Sequence, residues 1–185
     1  MKKIKILFLL FIAFFVTFCK DKKNNTTSSQ NSFFDVKNFI SSEAKRLQSQ
    51  AGRYEKKVTV DGATEEKISD SLNWTQELAL FAEADINRPA WKDKYRVDSI
   101  FDAQHGLVKI SYTTQDKNLK TKQLDIIFNH NILQEINIKN SASSAVATLQ
   151  QQLSYRPGDG YSVEMNQKIP FSDPQKMTVA VRKKK

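Results

Sequence analysis

The sequence predicts an α+β fold: a curved antiparallel β-sheet of about six to seven strands, with two N-terminal helices packed on one face. Three observations predict it. Apolar residues recur at helical spacings early in residues 31–185, they switch to alternation after Trp91, and short polar turns join the alternating runs. Short links force antiparallel neighbours, because a parallel crossover needs a dozen or more residues.

The first helix is expected to begin at Ser32, where Ser32-Phe33-Phe34-Asp35 fits a capping box. Phe33, Val36, Ile40, Ala44 and Leu47 follow at spacings of three and four, with Phe39 beside them and Gly52 as the stop. Tyr54 to Val60 alternates and reads as a strand closed by the turn pair Asp61-Gly62. A second helix is expected over about 69–84, with Leu72, Leu78 and Phe81 on one face and Glu77 and Glu83 turned away. Pro89 prevents its continuation and leaves residues 85–91 as an ordered connector.

Period two then takes over in Tyr95/Val97, Val108/Ile110/Tyr112, Leu124/Ile126/Phe128 and Ile132/Ile136/Ile138. Gln115-Asp116-Lys117-Asn118 and Asn129-His130-Asn131 supply turn chemistry between them. Residues 145–155 fit both periods. The strand reading prevails because Pro157-Gly158-Asp159-Gly160 and an alternating Tyr161/Val163/Met165 complete a hairpin. Met177/Val179/Val181 forms the last strand. No internal repeat is visible.

Ahead of this domain stand Lys2, Lys3 and Lys5 and then an apolar run from Ile6 to Phe18, which matches the n- and h-regions of a secretory signal. The run falls short of the roughly 20 residues that cross a bilayer core. Cys19, the only cysteine, follows it directly, so an internal disulfide is impossible. Val16-Thr17-Phe18-Cys19 resembles the lipobox of bacterial lipoprotein precursors, with Phe18 where that family carries Gly, Ala or Ser. The resemblance implies that residues 1–18 are a signal peptide and that Cys19 is the lipidation site. In that family the cysteine receives diacylglycerol and the new amino terminus an acyl chain such as palmitate. Lys20 in place of Asp implies sorting to the outer membrane, with both leaflets open. With Cys19, residues 20–30 (Lys-Asp-Lys-Lys-Asn-Asn-Thr-Thr-Ser-Ser-Gln) form a flexible tether, since they hold no apolar residue to offset the entropy of ordering.

The charge balance fits an exported domain. The chain carries 29 basic and 20 acidic residues, formally +9, but residues 24–181 hold 19 of each. The excess sits in the signal, the tether and the terminal Arg182-Lys183-Lys184-Lys185 run, so a nucleic-acid binder is not indicated. The length of 185 residues excludes a large multidomain enzyme.

Motifs for chemistry are sparse. His105 and His130 occupy turns, with no second histidine or cysteine at metal-ligand spacing, so neither a metal nor a cofactor is predicted. No Gly-x-Ser-x-Gly elbow, Ser-x-x-Lys motif or Walker loop occurs in the body. Asp98 with Asp102, and Glu65 with Glu66, are the carboxylate pairs, and no catalytic residue is assigned to them. Trp74, Trp91, Tyr95, Tyr112, Tyr155 and Tyr161 are the candidate ligand-contacting aromatics, as the lining of a concave apolar site.

The expectation is a non-enzymatic envelope lipoprotein. Its partner is the membrane, through Cys19, and its domain binds an envelope protein or an apolar ligand, with no nucleic acid. The alternatives are a half-barrel-like lipid or lipoprotein carrier and an envelope hydrolase or inhibitor. A carrier requires a hollow interior, an interaction module a filled core with exposed apolar surface, and an enzyme a polar cleft with a carboxylate of raised pKa.

Overall fold

The structure is a computed structural model that describes residues 32–104 and 106–184. The signal peptide, Cys19, the tether and His105 lie outside the described residues.

The chain enters helix α1 (Val36–Ser49) and then a hairpin of β1 (Tyr54–Val60) and β2 (Ala63–Ser69). Two short helices follow, α2 (Trp74–Glu77) and α3 (Ala79–Glu83), and a single 3₁₀ turn at Pro89–Trp91. Seven strands complete the domain: β3 (Arg96–Asp102), β4 (Gly106–Thr113), β5 (Thr121–Asn129), β6 (Ile132–Ser143), β7 (Thr148–Arg156), β8 (Gly160–Lys168) and β9 (Gln175–Lys183). All nine strands form one sheet in the order β2-β1-β9-β8-β7-β6-β5-β4-β3, with every neighbouring pair antiparallel. The seven later strands are a simple meander. The first hairpin sits beyond its end, with β1 paired to β9.

Alternation divides the sheet into two faces. On one face the registers line up a rung of Leu124, Ile138, Leu153, Val163 and Val179, and beside it a rung of Ile126, Ile136, Tyr155, Tyr161 and Val181. Against these rungs α1 sets Val36, Ile40, Ala44 and Leu47, and the short helices with their connector set Trp74, Leu78, Phe81, Ala84 and Ile86. Burying each large apolar side chain contributes about 1.5–3 kcal/mol, and this single cluster is the core.

The expected fold is corrected on strand number and on helices. The sheet has nine strands, not six or seven, and the domain has one substantial helix where two were expected. The count rises because β1, read as a strand ahead of the meander, joins its sheet and because β2, Ala-Thr-Glu-Glu-Lys-Ile-Ser, was overlooked; it shows no apolar alternation, since six of its seven residues are exposed. It is an edge strand paired only with β1, through a turn whose Asp61 and Gly62 both have positive φ (48° and 91°). Because β2 consumes residues 63–69, no helix begins at Ser69. Asn73 starts α2 instead, its side chain accepting a hydrogen bond from the Gln76 amide at 3.2 Å, and Leu78 (φ −99°, ψ 6°) interrupts the helix after one turn.

Two further details differ. Asp35, not Ser32, caps α1, accepting from the Asn38 amide at 2.9 Å, which frees Phe33 to enter the core. The last strand also runs past Val181, since Arg182 and Lys183 belong to β9, flanked by β8 and β1.

Candidate functional site

The six aromatics that the sequence offers as a ligand lining are placed very differently from that expectation. Trp74, Tyr95, Tyr112, Tyr155 and Tyr161 are all buried in the core, and Trp91 is half-buried on its margin. They form two main groups. Phe33 stands edge-on between Tyr95 and Tyr112, at centroid distances of 5.8 and 5.4 Å. Phe81 does the same between Tyr155 and Tyr161, at 6.0 and 5.9 Å, and these two tyrosines are direct cross-strand partners. Trp91 lies 6.5 Å from Tyr95 and carries the Arg88 guanidinium 4.5 Å over its ring. Trp74 is apart from them, edge-on to Tyr54 at 4.8 Å. Edge-to-face contacts of this kind add about 0.5–1.5 kcal/mol each beyond the area buried.

Every buried hydroxyl in these groups has a partner. The Tyr95 hydroxyl donates to the Thr121 carbonyl at 2.7 Å, and the Tyr112 hydroxyl accepts from the Phe34 amide at 3.1 Å. Tyr155 donates to Glu43 on α1 at 2.6 Å, and Tyr161 donates to Glu77 on α2. Each glutamate is also bound by a cation. Arg46, one turn along α1, meets Glu43 through Nε and Nη2 at 2.7 and 2.8 Å, while the β1 residue Lys56 meets both oxygens of Glu77 at 2.7 and 2.8 Å. Two phenol–carboxylate–cation chains therefore tie the helices to neighbouring sheet strands, one on each side of Phe81.

The electrostatics follow from this arrangement. The Arg46 hydrogen bond, opposed by burial and aided by Tyr155, lowers the Glu43 pKa below its ordinary value. Burial, reinforced by the neighbouring carboxylates, pushes the phenols of Tyr155 and Tyr161 far up. Burial with the charge of Asp116 pushes Tyr95 up to about 12, and burial raises Tyr112. The first chain keeps the Glu43 carboxylate charged, and both keep their phenols neutral, which suits them to holding elements in place.

Sequence reasoning misses this seam and turns Glu77 to the solvent side. One signal was available: Lys56 falls between Tyr54 and Val58 on the inward positions of an alternating strand, and a lysine there calls for an acidic partner. The carboxylate pairs noted in the sequence do not converge. Asp98 pairs with Arg96 at 2.8 Å, Asp102 accepts from the Gln104 amide at 2.8 Å, and Glu66 pairs with Lys57 at 2.6 Å. Among the described residues no three His, Cys, Asp or Glu side chains are grouped to hold a metal ion.

The opposite face of the sheet is open and polar. One continuous rung crosses all nine strands as Asp98, Ser111, Asp125, Asn137, Ser154, Ser162, Ala180, Lys57 and Glu66. Asp125 is its most buried member, receiving hydrogen bonds from Ser111 at 2.7 Å and Gln123 at 2.9 Å and a salt bridge from Lys109 at 2.8 Å. A shallow cavity of about 280 Å³ lies beside it, over Asn137, Gln152, Ser154 and Ser162. Larger hollows open at the margins, about 480 Å³ between β2 and α2 and about 420 Å³ where Tyr95 meets Arg96 and Thr113.

Large apolar side chains are exposed at particular places. All seven residues of β3 are exposed at the sheet edge, including Val97, Ile100 and Phe101, the last at 72%. Ile132, 66% exposed, begins β6 at the same end of the sheet as Phe101. At the other end Val60, Val146, Ile169 and Phe171 are exposed, Phe171 completely. Comparison of the chain with protein-family models, with curated proteins and with solved structures finds no match in any of the three.

Proposed function

We propose that this chain is a membrane-tethered, non-enzymatic interaction module of the bacterial envelope, anchored through lipid on Cys19 at the outer membrane and binding a protein partner with its described domain. The observation that carries the binding half is the β3 edge. Among the described residues it is the terminal strand of the sheet, with Ile100 and Phe101 exposed upon it and Ile132 nearby, the combination that strand addition uses. The interior supports a module rather than a carrier. The space between helices and sheet is occupied by the Phe33 and Phe81 aromatic groups, and the aromatics that a ligand would need are already engaged. Among the described residues the carboxylates with displaced pKa, Glu43, Glu66 and Asp116, are all displaced downward, the reverse of what a general acid requires.

Two experiments test the reading. A photo-crosslinking residue at position 101 is expected to capture a protein in the producing cells, while the same group at Ser42 on the exposed side of α1 captures none. Native mass spectrometry of residues 24–185 is expected to give an unliganded mass, and a co-purifying lipid would favour the carrier instead. For the anchor, labelled palmitate is expected in the wild type and absent from Cys19→Ala, and equal label in both ends the lipoprotein assignment.

A further inference from the structure

The exposed apolar residues at the two ends of the sheet serve different neighbours. The end formed by the β1–β2, β6–β7 and β8–β9 turns collects Val60, Val146, Ile169 and Phe171. The registers bring them together. Val60 faces Met177, the Lys176 amide bonds the Asp61 carboxylate at 2.8 Å, and Thr148 faces Lys168, which sets the β6–β7 turn beside the start of the β8–β9 loop. Phe171 is the most exposed of the group. It is fully exposed and holds φ +64°, a left-handed conformation that a bulky side chain adopts at a cost of about 1–3 kcal/mol. Nothing in the described fold repays that cost, since the ring touches no core residue among those described.

The described chain begins at the same strand ends but at the far edge of the sheet, beside β3 and β4. Phe33 packs against Tyr95, just before β3, and Tyr112, the penultimate residue of β4. Both are on the side of the sheet where the β4–β5, β6–β7 and β8–β9 turns lie. The 13 Cα–Cα steps from Cys19 to Ser32 reach at most about 45 Å when extended. A lipid on Cys19 therefore keeps this end within reach of the bilayer.

We infer that the Val60, Val146, Ile169 and Phe171 end is a bilayer-contacting surface, with Phe171 entering the headgroup–acyl boundary. The occupant is a lipid surface because the group consists of separate apolar tips on three turns, not a groove. Lys168 and Lys176 flank the tip in the sequence and can keep their ammonium groups among the headgroups. Of the nearby acids, Asp61 is engaged by the Lys176 amide, and Asp173 is the other. The contact orients the domain so that Phe101 and Ile132, at the opposite end, point away from the membrane. This inference rests on the tethered reading above for its biological setting, and its test does not depend on the lipid.

The test uses the full chain with phosphatidylcholine vesicles brominated near the headgroup. Phe171→Trp keeps an aromatic in the same exposed position, so the fold is not challenged, and Phe101→Trp is the control at the far end. Emission of the wild type, from Trp74 and Trp91, is subtracted. A ring seated roughly 5–10 Å deep predicts quenching of the indole introduced at position 171 by about twofold or more, with a blue shift, and none for the indole at position 101. An unquenched indole at position 171 overturns the inference, whether or not the chain floats with the vesicles. Equal quenching at both positions overturns the orientation. Flotation of the wild type against Cys19→Ala reads the anchor separately, so failure of lipidation and failure of the contact give different results.

Discussion

The two faces of the sheet use the same nine strands and differ in everything else. On the covered face the rung Ile126, Ile136, Tyr155, Tyr161 and Val181 is large, apolar and locked by helices. One residue along each strand, the rung through Asp125, Asn137, Ser154, Ser162 and Ala180 is polar but for the small Ala180 and meets no helix. The difference teaches where stability resides. Packing and the two phenol–carboxylate–cation chains fix the covered face, whereas the open face and the sheet ends carry none of these ties to the helices.

Breaking the covered face is expected to have the largest effect. Phe81→Ala removes a fully buried ring that contacts both tyrosines, and urea denaturation is expected to show a loss of about 3–5 kcal/mol. High pH attacks the same face. A buried neutral phenol raises its folded pKa, so its contribution is intact below about pH 10 and lost as pH climbs above it. Tyr95 loses its share by about 12, and Tyr112, Tyr155 and Tyr161 are shifted in the same direction. Ultraviolet titration is expected to show these four phenols ionising late, together with unfolding, and normal titration of all of them near pH 10 would contradict the buried seam.

Tyr155→Phe is expected to cost about 1 kcal/mol, since the hydroxyl bond to Glu43 is lost while Arg46 still holds the carboxylate. At low pH the sign reverses. The lowered Glu43 pKa gives stability that is present above the ordinary carboxylate range and lost as pH falls through the folded value. Acid denaturation of Glu43→Gln is expected to show a flatter acid limb than the wild type. Ser162→Ala, on the open face beside Tyr161, is expected to stay within about 0.5 kcal/mol by the same urea assay, and Lys57→Gln, in the exposed pair with Glu66, to shift nothing measurable. A large effect at Ser162 would mean that the open face carries structural load after all.

Much of the meander was legible in the sequence because burial writes itself as alternation. Leu124/Ile126, Ile136/Ile138 and Tyr161/Val163 are read directly from spacing, and each lies on the covered face. Residues 148–156 take the strand form that the following Pro157-Gly158 turn favours over a helix. The failures share one cause. β2 and most of β3 are edge strands with exposed side chains, so hydrophobic spacing carries little trace of them. The roles of Glu43 and Glu77 were equally hidden, because a charged helical residue looks solvent-facing until the tyrosine opposite it is known. The candidate aromatics were found as residues and misjudged in role, since sequence spacing cannot tell a ring that lines a cavity from one that fills it.

The pairing of β1 with β9 joins residues 54–60 to residues 177–183. Its consequence is temporal as well as spatial. A growing or threading chain makes its first hairpin early, yet that hairpin has no seat until the final strand arrives, more than a hundred residues later. Until then β8 and β1 both keep a bare edge. The nine residues of β9 thus act as a keystone: without them the first hairpin has no pairing to the meander.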